Sequence, residues 1–295
     1  MECVCETRNL TKRFGDLVAL DHIDLDIPRR SIIGLLGRNG SGKTTLIQHL
    51  VGLQLPSGGT VRTFGTATPK LDHSELARIG FVPQEIRLID WMTVGQLLDY
   101  VACFYPRWDR ALQQRLQGEL ELADHAVVGA LSSGNLQKLA ILTAVCHHPE
   151  FLVLDEPVSD LDPIVRGRFL AFLLELLRED ETTILVSSHV LRDVEKVVDR
   201  IVCLDRGCVL TDAALDDLQE RFGQWLVTPV EGYLPATFAE AWIVAQQGDS
   251  RQSKLWVREP DIGMQEFEDL HRVRVTRLPL SLEEIFPLLI AEREP

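Results

Sequence analysis

Apolar and polar residues alternate in short bursts through the first thirty positions, "CVCETRNLTKRF" and "LDHIDLDIP" with "FGD" as a turn, and this period of two predicts antiparallel strands. A continuous apolar run, "SIIGLLG", then predicts a buried strand; a glycine-rich turn follows, and after it "KTTLIQHLVGL" with helical spacing. From about Ile86 to His147 helical patterning dominates, as in "VGQLLDYVACF" and "RALQQRLQGELELA". Two further apolar runs, "FLVLDE" and "TTILVSS", bracket a helical "PIVRGRFLAFLLELLRED", where Asp162 is placed to cap the helix and Pro163 to occupy its first turn. Strands alternating with helices predict a parallel sheet covered on both faces. Near residue 223 the pattern changes. "QWLVTPV", "AWIVAQQ", "KLWVRE" and "HRVRVTRL" read as short strands, with "ATFAEA" and "GMQEFEDL" as small helices. The division expected is a main domain over residues 1–222, with a helical part at about 86–147, and a smaller domain over 223–295.

Charge narrows the function classes. Thirty basic against 44 acidic side chains give a net charge of −14, which opposes general adhesion to nucleic acid or to an anionic membrane. The N-terminus has an acidic second residue and no apolar run of leader length, so no cleaved secretory leader is expected. Runs such as "SIIGLLG" and "AILTAV" are far shorter than the roughly 18 residues that cross a bilayer. The six cysteines, at 3, 5, 103, 146, 203 and 208, lack C-x-x-C spacing and read as reduced structural thiols in the cytosol, with Cys3 and Cys5 the faintest hint of a metal site.

The candidate chemistry starts at Gly37. "GRNGSGKTT", running from Gly37 to Thr45, matches G-x-x-x-x-G-K-[ST] between a predicted strand and a predicted helix. Glycine lets the backbone curl until successive N–H groups face phosphate oxygens, and the helix N-terminus adds positive potential. Gly37, Asn39, Gly40, Ser41, Gly42 and Thr45 build this cradle, Lys43 reaches the β and γ phosphates, and the Thr44 hydroxyl ligates Mg²⁺. Asp155 ends an apolar run and so stands at the carboxyl edge of the sheet, where α/β folds bind ligands; it is the candidate Mg²⁺ carboxylate. Glu156 points differently and is the candidate base for an attacking water. An aspartate–glutamate pair at a strand end, met alone, reads as solvated turn charges; beside a phosphate loop it reads as catalytic.

In this order the motifs resemble the nucleotide-binding subunit of ABC (ATP-binding cassette) transporters, over roughly residues 4 to 215. The resemblance implies an α/β fold: a P-loop NTPase core with a parallel sheet, an N-terminal antiparallel β subdomain, an inserted α-helical subdomain and a small C-terminal α/β accessory domain. It implies that Phe14 in "TKRFGD" stacks on adenine, although the residue alone would read as core. Gln84 in "FVPQE" takes the place of the glutamine that senses Mg²⁺ and water and links core to helices. Asp162 in "SDLD" becomes an interface residue contacting the other subunit, and His189 the switch histidine at the γ-phosphate.

"LSSGN" resembles the family's L-S-G-G-Q, which presents backbone N–H groups and a serine hydroxyl to ATP held by a second subunit. Leu131, Ser132 and Gly134 match, whereas Ser133 and Asn135 depart. A backbone donor survives a side-chain change, so Ser133 harms the site only if its position needs positive φ or its Cβ meets the partner.

The function implied is an ATPase that binds ATP and Mg²⁺, pairs with a second nucleotide-binding subunit, identical or related, and drives a separate transmembrane permease docked near Gln84. That places it in the cytoplasm, peripheral on the inner face of the cell membrane, with no nucleic-acid partner. "FYPRWD" (Phe104 to Asp109) and "LPLSLEEIF" (Leu278 to Phe286) resemble elements of antibiotic and multidrug export cassettes, although the first also reads as core and the second as an amphipathic packing helix. Two other readings remain open: a soluble ABC ATPase of DNA repair or ribosomes, and a P-loop kinase, which would lack the "LSSGN" and "SDLD" pair. The transported substrate is not legible in this chain.

Overall fold

The computed structural model describes residues 2–158, 163–179, 181–188 and 191–291. They form two compact units, Met1–Asp212 and Ala213–Pro295. The chain opens with two long strands, β1 (Cys3–Phe14) and β2 (Leu17–Pro28), and continues through β3 (Ile32–Gly37) into helix α1 (Lys43–Leu50). Strands β4 (Gly58–Thr63) and β5 (Thr66–Ala67) complete an antiparallel sheet ordered β2-β1-β4-β5. Its alternating residues send Leu10, Leu20, Ile23, Leu25 and Ile27 inward, into one core with Leu46, Ile47 and Leu50 of α1.

A short helix, α2 (His73–Leu76), leads to β6 (Ile79–Val82), after which come the helices α3 (Val94–Ala102), α4 (Arg110–Glu119) and α5 (Ser133–Val145). Each begins at a side-chain cap: Asp72, Thr93, Asp109 and Ser132 satisfy first-turn N–H groups, with reciprocal Glu75 and Gln96 bonds in the first two. The chain then runs through β7 (Phe151–Asp155), α6 (Pro163–Glu179), β8 (Thr183–Ser187), α7 (Leu191–Val194), β9 (Arg200–Asp205) and β10 (Cys208–Ala214). The resulting six-stranded sheet has the order β10-β9-β3-β8-β7-β6, with parallel pairing from β9 through β6. Every residue of β7 and β8 is buried, which is why both read as unbroken apolar runs. Their register sets Ser187 opposite both Leu35 and Asp155, so three strands end together at one edge.

The segment "FYPRWD" divides between interior and surface. Tyr105 stacks on His147 at 4.0 Å between ring centroids, and Trp108 Nε1 donates to Gln113 Oε1 at 2.7 Å. Phe104 stays exposed, edge-on to Tyr100 at 5.2 Å.

In the second unit, α8 (Leu215–Arg221) precedes β11 (Phe222–Pro229), β12 (Ile243–Gly248), β13 (Ser253–Arg258), α9 (Met264–His271), β14 (Val273–Leu278) and α10 (Leu282–Ala291). Its antiparallel sheet, β12-β13-β11-β14, packs Trp225, Trp242 and Leu255 around Phe267. Leu282, Ile285 and Leu289 are buried, so the tail is a packing helix. The helix expected at "ATFAEA" does not form. Gln246 of β12 takes that backbone instead, accepting from Phe238 N–H at 3.1 Å and donating to Ala236 O at 3.2 Å, while the Phe238 ring sinks into the core. Side-chain bonding and burial together outweigh the helical propensity of so short a segment.

His147, just past α5, is bonded through Nε2 to Ile79 O at 3.2 Å, and burial pushes its pKa down from 6.5 to about 4. The unfolded chain binds this proton below about pH 6.5, whereas the fold resists it until about pH 4. The contribution is therefore complete above pH 6.5 and is lost as pH falls between those values, by up to about 3 kcal/mol. Urea unfolding from pH 7 to 4 should show this slope, and His147→Phe, which keeps the stack on Tyr105, should flatten it.

Candidate functional site

The loop between β3 and α1 has its shape because glycine is needed at three points. A Cβ on Gly37 would collide with Leu204 O and Ser41 Oγ. Gly40 and Gly42 lie in the left-handed region at φ +78° and +108°, and a Cβ on Gly42 would stand 2.7 Å from Ala19 O. With Gly42 at the N-cap, α1 begins with no side-chain cap, which leaves first-turn N–H groups for a ligand. Lys43 folds back over the loop, its Nζ donating to Gly37 O at 2.8 Å and more weakly to Arg38 O at 3.3 Å. Burial lowers its pKa, and the carboxylates of Glu156 and Asp155 act against that shift.

Asp155 is buried at the end of β7 and is held from two sides. Thr44 Oγ1 donates to Oδ2 at 2.8 Å, and Ser187 Oγ donates to Oδ1 at 2.6 Å. The Ser187 hydroxyl also accepts the Glu156 N–H at 2.9 Å, fixing the next peptide. Glu156 sits at φ +55°, a conformation that a non-glycine residue rarely adopts; the chain breaks out of the strand there, and the two carboxylates diverge. Hydroxyl and carboxylate oxygens converging on one point, with the Gln84 amide lining the same cleft, make a hard-oxygen donor set that suits Mg²⁺.

These groups line a cleft of about 600 Å³. Phe14, Asn39, Gly40, Gly42, Lys43, Thr44, Thr45, Gln84, Asp155 and Glu156, all expected from sequence, surround it, together with Leu17, Val18, Ala19, Arg206 and Gly207. Gly37 and Ser41 lie beneath as scaffold. Phe14 is 47% exposed, with Lys12 Nζ 5.0 Å from its ring centroid, so it is a surface platform rather than a core residue. Ser132, Ser133 and Gly134 are not part of this cleft. Ser132 caps α5 through Asn135 N–H at 3.3 Å, and Ser133 begins the helix without positive φ. Asp162, as helix cap or interface residue, and His189 lie outside the described residues.

Sequence reading missed two participants. Ser187 looked like the polar end of an apolar run, and only its strand pairing aims it at Asp155. Arg206 belongs to no motif in the sequence, and only the packing of its turn brings it to the cleft.

The ABC transporter family model matches residues 20–159. The chain is 35% identical over 223 residues to the bacitracin transport ATP-binding protein BcrA of Enterococcus faecalis, covering 75% of this chain and 72% of that one. Over 294 residues it is 28% identical to the Nod factor export ATP-binding protein I of Cupriavidus pinatubonensis, covering 97% and 90%. A solved dimeric ATP-binding cassette, in a post-hydrolysis state with ADP and Pi, matches with a TM-score of 0.65 at 26% identity, over 72% of this chain and 98% of that one.

Ser187→Ala leaves Asp155 Oδ1 and the Glu156 N–H each one partner short in a buried setting. A loss of about 2 kcal/mol in unfolding free energy is expected from chemical denaturation.

Proposed function

This chain belongs to the ABC transporter family as an ATP-binding subunit, and from that premise we propose that it works as one half of a pair that closes head to tail around two ATP and drives separate membrane subunits in export. The subunit is an ATPase. One observation carries the reading: the phosphate loop, Asp155 and Glu156 meet in a single cleft, with Phe14 exposed at its mouth.

In that cleft the α1 N-terminus and Lys43 take the phosphate chain, and Phe14 offers its ring face to adenine. Thr44, Asp155 and Gln84 would hold Mg²⁺, which supplies charge neutralisation of the phosphates when bound. Glu156 accepts a proton from the attacking water as its oxygen bonds to the γ-phosphorus and the bond to the β–γ bridging oxygen breaks, releasing ADP and phosphate. Asp162 and His189 keep the interface and γ-phosphate roles that the family pattern assigns.

The second copy, or a related subunit, supplies the other side of each ATP. The start of α5 is suited to that contact, since Ser132 caps the helix and the first N–H groups, those of Ser133 and Gly134, have no intrahelical acceptor to reach. Because Ser133 adopts ordinary helical φ, the family's glycine is not required there for backbone reasons. Among the described residues no helix is long and apolar enough to cross a membrane, so transport calls for a permease partner. The exposed Trp91, Tyr100 and Phe104 of the helical region support docking there, at the inner face of the membrane. Export is supported by the relatives named for bacitracin transport and Nod factor export.

Glu156→Gln should lower ATP turnover by roughly 100-fold or more while leaving ATP bound, and light scattering should show dimers that form with ATP. Turnover at the wild-type rate would remove Glu156 as the base, and a monomer with ATP bound would remove the sandwich. Ser133→Gly combined with Asn135→Gln should change turnover by less than about twofold, as surface changes that leave backbone donors in place do. A large gain would mean that side chains, not backbone, set the strength of this half-site.

A further inference from the structure

The connection between β9 and β10 is two residues long, Arg206 and Gly207, and both lie in the left-handed region at φ +47° and +77°. Positive φ at both positions is the signature of a tight hairpin turn that favours Asn, Asp or Gly first and Gly second. Gly207 obeys this preference, since a Cβ there would stand 2.8 Å from Ala19 O. Arg206 does not. Phe64 departs in the same way in the Phe64–Gly65 turn between β4 and β5; what sets Arg206 apart is that its turn lies on the wall of the cleft.

Two backbone bonds clamp this turn to the nucleotide site. Gly207 N–H donates to Ser41 O of the phosphate loop at 3.0 Å, and Gly207 O accepts from Asp21 N–H of β2 at 2.8 Å. Arg206 is thereby fixed on the cleft wall. Its side chain is 77% exposed, and its ion-pair contact, Asp205 Oδ2 at 3.8 Å, is long and open to solvent. Among the described residues lining the cleft, the ionised side chains are two cations, Lys43 and Arg206, and two anions, Asp155 and Glu156. Without Arg206 the lining would be net negative, in a chain whose own charge is −14. Lys43 is meanwhile bonded to the carbonyls of its own loop.

We propose that Arg206 is a further nucleotide-binding residue, its guanidinium engaging the phosphate chain and drawing a polyanion into a cleft that would otherwise repel it. Planar, multi-donor guanidinium suits phosphate oxygens, and the locked turn holds its backbone in place before the ligand arrives. The inference rests on the reading of the cleft as the ATP site.

Arg206→Asn tests it with a residue that the turn itself favours, so the variant's thermal midpoint should equal or exceed that of the wild type. In the full-length protein, calorimetric titration should give roughly tenfold weaker ATP binding for Arg206→Asn, with GTP weakened alike and ADP weakened less. Arg206→Lys, which keeps the charge but not the planar set of donors, should recover only part of the loss, and raised salt should shrink the difference between Asn and wild type. In steady-state turnover KM should rise while kcat stays within about twofold. Unchanged ATP affinity in Arg206→Asn would overturn the proposal, and so would a loss confined to ATP and absent for GTP, which would put the guanidinium on the base. Lys43→Ala, run in parallel, separates the two levels. If it abolishes ATP binding while Arg206→Asn does nothing, only the arginine's role fails; if neither matters, the nucleotide reading of the cleft fails with it.

Discussion

A buried carboxylate has to be bonded, and the Asp155 side chain imposes that requirement on three elements at once. An uncompensated charge in the interior costs several kcal/mol. Here Thr44 at the start of α1 and Ser187 at the end of β8 provide the hydrogen bonds, from either side of β7. A one-residue shift of β8 against β7 would turn Ser187 to the opposite face and leave Asp155 short of a partner. Strand register, helix position and the aim of the acidic pair thus follow from one need.

The antiparallel sheet is tied to this frame at the opposite, amino ends of the strands. Arg78, one residue before β6, grips Glu150, one residue before β7, with two bonds of 2.6 and 2.7 Å, and Arg29 adds a third at 3.1 Å. The Arg78 guanidinium also lies 3.8 Å from the ring centroid of Phe64, in the turn between β4 and β5. These charges hold the Glu150 carboxyl below its usual range, chiefly through the bonds from Arg78. The cluster is partly exposed, so its value lies more in bidentate geometry than in energy. It links two sheets that also meet through the apolar core around α1 and through the Asp21 N–H to Gly207 O bond.

Most of this was legible in the sequence where the signal is local. Gly37, Gly42, Lys43 and Thr44 announce themselves because a strand, a glycine turn and a helix must follow one another for the loop to work. Asp155 and Glu156 were legible because an apolar run ended on them. What escaped depends on contacts between distant segments. Phe14 read alone as core, and only the folded arrangement shows it exposed at the end of β1 on the wall of the cleft. The helix expected at "ATFAEA" lost to the Gln246 amide, reaching across from a strand not yet formed in any local window. Ser187 became visible only through the pairing of β8 with β7.

Backbone strain separates ordinary turns from the working edge of the sheet. Many left-handed non-glycine residues, such as Arg30 and Phe64, lie in or beside strand connections. Glu156 and Arg206 differ, because each places an ionised side chain on the wall of the same cleft. Left-handed backbone at Glu156 ends β7 abruptly and separates its carboxylate from that of Asp155. At Arg206 it closes a two-residue turn tightly enough for Gly207 to bond the phosphate loop. In both places an unfavourable local conformation is held by hydrogen bonds from neighbouring segments, through Ser187 in one case and through Ser41 and Asp21 in the other. The same bonds that stabilise the fold therefore set where charge stands around the cleft.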